Sequence, residues 1–226
     1  MGIGDSMLKS IEAVIFDMDG TLIDSMWMWK SIDEEYLKRF DIDYPDDLQS
    51  NIEGMSFTET CYYLKEKYDI PDDVDTIRNH INTMAWDYYE NKVPMKNNAL
   101  NFLDLLTMKK IKLGIGTSNS RELVNLVLSK LNVKHYFESI RTSCEVEKGK
   151  PHPDIYLQVA KDINIKPENC LVFEDVPNGL LAAKGAGMKC CAVYDEFSAH
   201  VWDKMIEIAD YNIKDYGDIL NLIKED

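Results

Sequence analysis

The apolar and polar positions alternate in two regimes, and the boundaries between them divide the chain. Short apolar or β-branched stretches at 13–16, 112–116, 139–142, 170–173 and 189–193 have the length of buried strands, with a three-residue edge at 211–213. Between them, helical spacing of apolar residues predicts helices over 99–110, 121–131, 153–162, 179–185 and 217–224. Strands that alternate with helices in this way are parallel and joined by right-handed crossovers, which gives a three-layer α/β core with a Rossmann-like parallel sheet.

The stretch from 25 to 93 breaks that rhythm. Helical spacing runs over 26–40, a break at 41–45 precedes a short helix over 46–52, and Gly54 ends it. Ser56-x-x-Glu59 is a capping box that starts a helix over 57–68. Pro71, Asp72 and Asp73 open a long one to 89. The expected organisation is an α/β core domain of 1–24 and 94–226, interrupted by an all-helical cap domain at 25–93. Residues before Met7 read as a flexible leader. No repeat or low-complexity segment is visible.

A chain of 226 residues can bury a sizeable core, and 45% hydrophobic with 29% charged residues is ordinary for a globular protein. No apolar run is long enough for a transmembrane helix. A formal net charge of −15 argues against nucleic-acid and anionic-membrane partners, so an anionic substrate would depend on local cations. The five cysteines are an odd number without metal-ligand spacing; Cys190-Cys191 sits in an apolar run and reads as small core residues. Reduced thiols, a cytoplasmic setting and a monomer are expected, with a dimer as the alternative.

The chemistry begins where the first strand ends. Asp17 and Asp19 are two apart, so alternation puts both on one side as the chain leaves the strand, and Gly20 lets it turn sharply. Carboxylates this close repel, and a divalent cation such as Mg²⁺ is the simplest remedy. One carboxylate can then attack an electrophile while the other handles protons.

Asp17-Met18-Asp19-Gly20-Thr21-Leu22-Ile23-Asp24-Ser25 after a hydrophobic strand resembles the first motif of the haloacid dehalogenase-like hydrolases. Three further clusters, each just after a strand, resemble that family's remaining motifs in order. Thr117-Ser118-Asn119 resembles the second, where a hydroxyl and backbone N–H groups hold a phosphoryl oxygen; by itself it reads equally as a helix cap from Asn119 or Ser120. Lys150-Pro151 resembles the third, with Lys150 rather than Lys148 as the cation beside the nucleophile. His152 reads as a helix-start residue without a catalytic role. Glu174-Asp175 resembles the fourth, followed by Gly179, Ala182, Ala183 and Ala186 as a helix–sheet packing face.

The resemblance implies Asp17 as nucleophile and Asp19 as general acid and base, with Lys150 and Thr117 in support. It implies Mg²⁺ bound by Asp17, the Asp19 carbonyl and Asp175, with Glu174 a ligand or the holder of a metal-bound water. Gly20, Thr117, Ser118, Asn119 and Lys150 would surround the phosphate. In the cap, Met55, Phe57 and Trp27 are the expected substrate contacts, while Trp29 reads equally as core packing. The expected activity is hydrolysis of a small phosphomonoester through an aspartyl-phosphate.

The likeness extends to β-phosphoglucomutases, but those carry a cap histidine and a cap-loop arginine. Ser25-Met26-Trp27-Met28-Trp29 and Glu53-Gly54-Met55-Ser56-Phe57 contain neither, which favours hydrolysis over mutase chemistry. A phosphonate-cleaving branch would need a cap lysine, and Lys30, Lys65 and Lys67 leave that open. A non-catalytic binding module would be expected to lose a motif residue, and none is lost.

Overall fold

The computed structural model describes residues 7–224. Six strands, β1 (Ala13–Phe16), β2 (Lys112–Thr117), β3 (Ser139–Thr142), β4 (Cys170–Glu174), β5 (Lys189–Val193) and β6 (Tyr211–Ile213), form one sheet in the order β3-β2-β1-β4-β5-β6. Every neighbouring pair is parallel. The chain crosses from one half of the sheet to the other beside β1, which is where an open α/β sheet leaves a crevice at the strands' carboxyl ends. Register makes that crevice level: Phe16 lies opposite Ile115 on one side and Phe173 on the other.

The four residues of β1 are buried and alternate between two cores. Ala13 and Ile15 face the layer of α7 (Asp154–Asp162) and α8 (Pro177–Gly185), where Ile155, Val159, Leu180 and Ala183 pack. Val14 and Phe16 face the opposite layer, built on α5 (Ala99–Met108), α6 (Arg121–Lys130) and α10 (Tyr216–Lys224). There Phe16 stacks on Phe173 at 5.3 Å and Phe102 on Tyr216 at 5.3 Å, a rigid aromatic floor under the first aspartate.

Four helices make up the insertion between Ser25 and Val93: α1 (Met26–Lys38), α2 (Leu48–Ile52), α3 (Phe57–Lys67) and α4 (Val74–Asn91). The capping box that starts α3 is formed on both sides, Ser56 accepting from Glu59 N–H and Glu59 from Ser56 N–H. Helix α4 begins at Val74 rather than at Pro71, because Asp73 is the residue in extended conformation whose side chain accepts from Thr76 N–H at 2.7 Å. The two ends of the insertion lie side by side. Asp24 N–H donates to Pro94 O, Lys96 N–H donates to Leu22 O, and Ile23 pairs antiparallel with Met95.

Helix α9 (Trp202–Ile208) is not apparent in the sequence pattern; seven residues are too few to display a helical period. The five cysteines are free, all buried except Cys144. No helix among the described residues is long and apolar enough to cross a membrane. The expected leader before Met7 lies outside the described residues.

Candidate active site

Asp17 follows β1 directly, and its N–H donates to Phe173 O, so its backbone continues the sheet. Lys150 reaches it from the loop before α7. The Lys150 ammonium donates to Asp17 Oδ1 at 2.5 Å and to Glu174 Oε1 at 2.6 Å, and all three side chains are buried. Glu174 Oε1 also accepts from the Tyr156 hydroxyl at 2.6 Å, while Oε2 accepts from Asp175 N–H. Both oxygens of Glu174 are therefore engaged in holding Lys150 and the strand end. Asp175 Oδ1 accepts only from Thr21 Oγ1, at 2.7 Å.

Asp17, Glu174 and Asp175 each offer an oxygen within 4.8 Å of the others. Three buried carboxylates face one ammonium, so negative charge is in excess. Burial, with the charges of Glu174 and Asp19, pushes the Asp17 carboxyl up to about 8 despite Lys150. Burial and the charges of Glu174 and Asp17 hold Asp175 well above the usual carboxylate range. Burial opposes the charge on Lys150, but Asp17 and Glu174 outweigh it and its pKa is raised. A divalent cation fits this donor set: hard oxygen ligands, crowded and under-neutralised.

Two glycines make the crowding possible. Gly20 has φ +78°, and a Cβ there would lie 2.2 Å from Asp175 Oδ2. A Cβ on Gly179, at the start of α8, would lie 1.8 Å from Glu174 Oε1. The small-residue face of α8 thus packs on the carboxylate itself as well as on the sheet.

The residues of the insertion close the other side. Asp19, carried on the loop after Asp17, accepts from four donors: Ser25 Oγ at 2.6 Å, Trp29 Nε1 at 3.3 Å, Asn119 Nδ2 at 2.8 Å and the Tyr89 hydroxyl. Phe57 N–H donates to Ser118 O at 2.9 Å, and Asn178 Nδ2 donates to Glu53 O at 2.8 Å. Between these contacts lies a cavity whose floor includes Asp17, Asp19, Thr117, Lys150 and Asp175.

A sequence profile of the haloacid dehalogenase-like hydrolases matches residues 14–193, more than half of the chain. The chain belongs to that family. Its relatives include the phosphorylated carbohydrates phosphatase of Thermotoga maritima, 29% identical over 95% of this chain and 99% of that protein. A protein of Drosophila melanogaster named a probable pseudouridine-5′-phosphatase is 28% identical, over 94% of this chain and 96% of its own. Among solved structures, β-phosphoglucomutase from Clostridium difficile superposes with a TM-score of 0.78 at 22% identity, covering 95% of this chain and 98% of that one, a likeness of fold.

The residues that carry the family resemblance converge: Asp17, Asp19, Thr117, Ser118, Asn119, Lys150 and Asp175 all line the cavity. Asn119 has a different engagement from the phosphate contact expected of it. Its amide nitrogen donates to Asp19 and to the Tyr89 hydroxyl, and its Oδ1 accepts from Ser120 N–H. The cap of α6 is Ser120, whose hydroxyl accepts from Leu123 N–H. Lys148 and His152 are exposed, away from the nucleophile that Lys150 meets.

On the insertion, Met55 and Phe57 line the cavity as expected, and Trp27 does not. Helix α1 turns about 100° per residue, so Met26, Trp29 and Asp33 share the inward face while Trp27 points the other way, its indole donating to Asp24 O and its ring edge-on to Tyr88. Trp29 rather than Trp27 is the tryptophan of the site. Tyr89 and Asp33 are the residues that sequence reasoning did not assign, while Trp29 stood open between site and core; each sits within a helical apolar face, where a core reading is the default.

Proposed function

We propose that the chain is a Mg²⁺-dependent phosphomonoester hydrolase that acts on a small phosphorylated metabolite through an aspartyl-phosphate on Asp17. The observation that carries this reading is the convergence of Asp17, its lysine partner at 2.5 Å and Asp19 at one end of one cavity. The names of the relatives, a phosphorylated carbohydrates phosphatase and a pseudouridine-5′-phosphatase, point to the same class of substrate.

In the first step an Asp17 oxygen bonds to phosphorus as the bond to the leaving oxygen breaks, and Asp19 gives that oxygen its proton. In the second, Asp19 takes a proton from water as the water oxygen attacks phosphorus, which frees Asp17 and releases phosphate. Lys150 offsets charge on Asp17 and on the phosphoryl oxygens throughout. Thr117 and Ser118, which line the cavity at the end of β2, would receive the phosphoryl oxygens. Mg²⁺, held by Asp17, Asp175 and the Asp19 carbonyl, would neutralise the charge that builds when two anionic partners meet. Glu174 serves as the positioning residue for Lys150.

Residues 25–93 act as a cap over the core of 1–24 and 94–226. Hydrolysis is preferred to mutase chemistry because the cap side of the cavity offers Met26, Trp29, Asp33, Gln49 and Ile52 but no lysine or arginine for a second phosphate. The test is phosphate release from a panel of sugar and polyol phosphates by the wild type and by Asp17→Asn, which is nearly isosteric. The wild type should turn over several members and the variant none; steady-state turnover by the variant would rule out the aspartyl-phosphate route.

A further inference from the structure

Within the cap wall one charged side chain has no counterpart. Asp33, on the inward face of α1, is 5% exposed and lines the cavity that contains Asp17 and Lys150. No described residue donates a hydrogen bond to its carboxylate, and no lysine or arginine pairs with it. Lys30, one turn earlier, is engaged with Glu34 at 3.8 Å on the outer face. The charged and titratable groups around this pocket of the cap are Glu34, Tyr44, Cys61 and, beyond Cys61, Arg78, which pairs with Asp75 at 3.3 Å; none of them bonds Asp33. Burial, aided by Glu34, pushes the Asp33 carboxyl up to about 7.

The residue is buried but its carboxylate oxygens are open to the cavity, so the partner that a carboxylate needs comes from the cavity's contents and not from the protein. Folding alone does not explain Asp33, since Met28, Ile32 and Leu37 already give α1 its buried apolar face. Its neighbours in the cavity sharpen the point. Gln49 on α2 and Thr60 on α3 also line the cavity, and their side chains make no hydrogen bond to another described residue. Three unpaired polar side chains from three helices thus converge on one space, between the apolar surfaces of Ile52 and Ile81.

We propose that Asp33 is a specificity-determining residue that accepts a hydrogen bond from a hydroxyl or ammonium at the substrate's far end, and that excludes substrates carrying a second anionic group there. This rests on the phosphatase reading and adds the chemistry of the distal end. Lys150 is the cavity's cation and is committed to Asp17 and Glu174, so one phosphate is satisfied at the floor. At the roof, Asp33 repels a second phosphate or a carboxylate, with Gln49 and Thr60 supplying further polar contacts for a polyol chain. Rejection by an unpaired charge and attraction by an acceptor then come from the same residue.

The experiment compares the wild type with Asp33→Asn and Asp33→Leu on acetyl phosphate, sorbitol 6-phosphate, glucosamine 6-phosphate and fructose 1,6-bisphosphate. The readout is kcat/KM for each larger substrate divided by that for acetyl phosphate, which has no distal end. In Asp33→Leu the sorbitol 6-phosphate ratio should fall about tenfold or more, the loss expected for one buried hydrogen bond, and the bisphosphate ratio should rise. Asp33→Asn separates the two donors: its carbonyl oxygen still accepts from a hydroxyl but offers no charge, so an ammonium requirement shows as loss of the glucosamine 6-phosphate ratio alone. Should Asp33→Leu fail to fold, the isosteric Asn variant still reads the bisphosphate ratio. Ratios within twofold of wild type for all three larger substrates would overturn the proposal. If the wild type hydrolyses none of the four, the phosphatase reading fails, and calorimetric binding of sorbitol 6-phosphate and fructose 1,6-bisphosphate to wild type and Asp33→Leu decides the role of Asp33 by itself.

Discussion

The Tyr89 hydroxyl donates to Oδ1 of Asp19, a bond between residues 70 apart that joins the last helix of the insertion to the loop beside the nucleophile. An ionised carboxylate only accepts, and here Asp19 is met by four donors, two of them from the insertion's aromatic residues Trp29 and Tyr89. The proposed acid and base is thus held in place by the element that covers it. To protonate a leaving group, Asp19 must exchange at least one of these donors for the substrate.

Removing that hydroxyl should uncouple the two. Tyr89→Phe keeps the packing of a ring that is 1% exposed but leaves Asp19 and Asn119 each short of a partner. We expect kcat to drop by about tenfold with a smaller change in KM, which steady-state kinetics on a good substrate will show. Wild-type activity in Tyr89→Phe with loss only in Tyr89→Ala, both variants fully folded, would point to packing instead of the hydrogen bond.

The buried carboxyl of Asp33 predicts a pH dependence of stability. Its pKa is raised from 3.8 to about 7, so the folded state keeps a proton that the unfolded chain releases. Its contribution is complete below about 4 and is lost as pH rises through about 7. Thermal denaturation in EDTA across this range should show wild-type Tm falling relative to Asp33→Asn by a few degrees. Parallel curves would mean that Asp33 is solvated in the free enzyme.

Chelation should stop turnover and Mg²⁺ restore it. Among the described residues the Asp175 carboxylate accepts from one side chain, Thr21, which leaves its other lone pairs for a cation. Asp175→Asn should therefore raise the Mg²⁺ concentration for half-maximal activity by about tenfold or more, measured by titration of the EDTA-treated enzyme. Undiminished activity after exhaustive chelation would refute the cation site.

Gly179 is expected to tolerate no side chain. A methyl group would occupy the position of Glu174 Oε1, which holds Lys150. Gly179→Ala should cost about 1–3 kcal/mol of stability, by denaturant unfolding, and lower kcat through displacement of Lys150. Gly187→Ala is the control: its Cβ meets nothing within 4 Å, though its φ of +74° carries a backbone cost of its own.

The strand ends are legible in the sequence because their signal is local: an apolar run followed by fixed acidic, hydroxyl or lysine positions determines both the fold and the floor of the site. Asp17, Lys150 and Asp175 can be placed together from the order of elements alone, since parallel strands bring their carboxyl ends to one edge. The roof is not legible in the same way. Trp27 and Trp29 differ only in helical phase, and the phase is set by how α1 packs on α4, a long-range fact. Tyr89 and Asp33 have no neighbouring motif; their partners are remote in sequence or supplied by substrate. Asn119 lines the cavity, but what its amide bonds is equally remote: Asp19, 100 residues away.

The neck of the insertion has a consequence for how such a protein can change. Leu22–Lys96, Asp24–Pro94 and the Ile23–Met95 bridge hold entry and exit together, while β1 pairs with β2 through hydrogen bonds of its own. Whatever joins the two sides of that neck need only span a short gap, so segments of quite different length and sequence can be grafted there without parting the central strands. On the proposed reading, the reagent and its reader are joined along the chain at this neck, and a new substrate range would be reachable by exchanging a reader that keeps its contacts with Asp19 and Ser118.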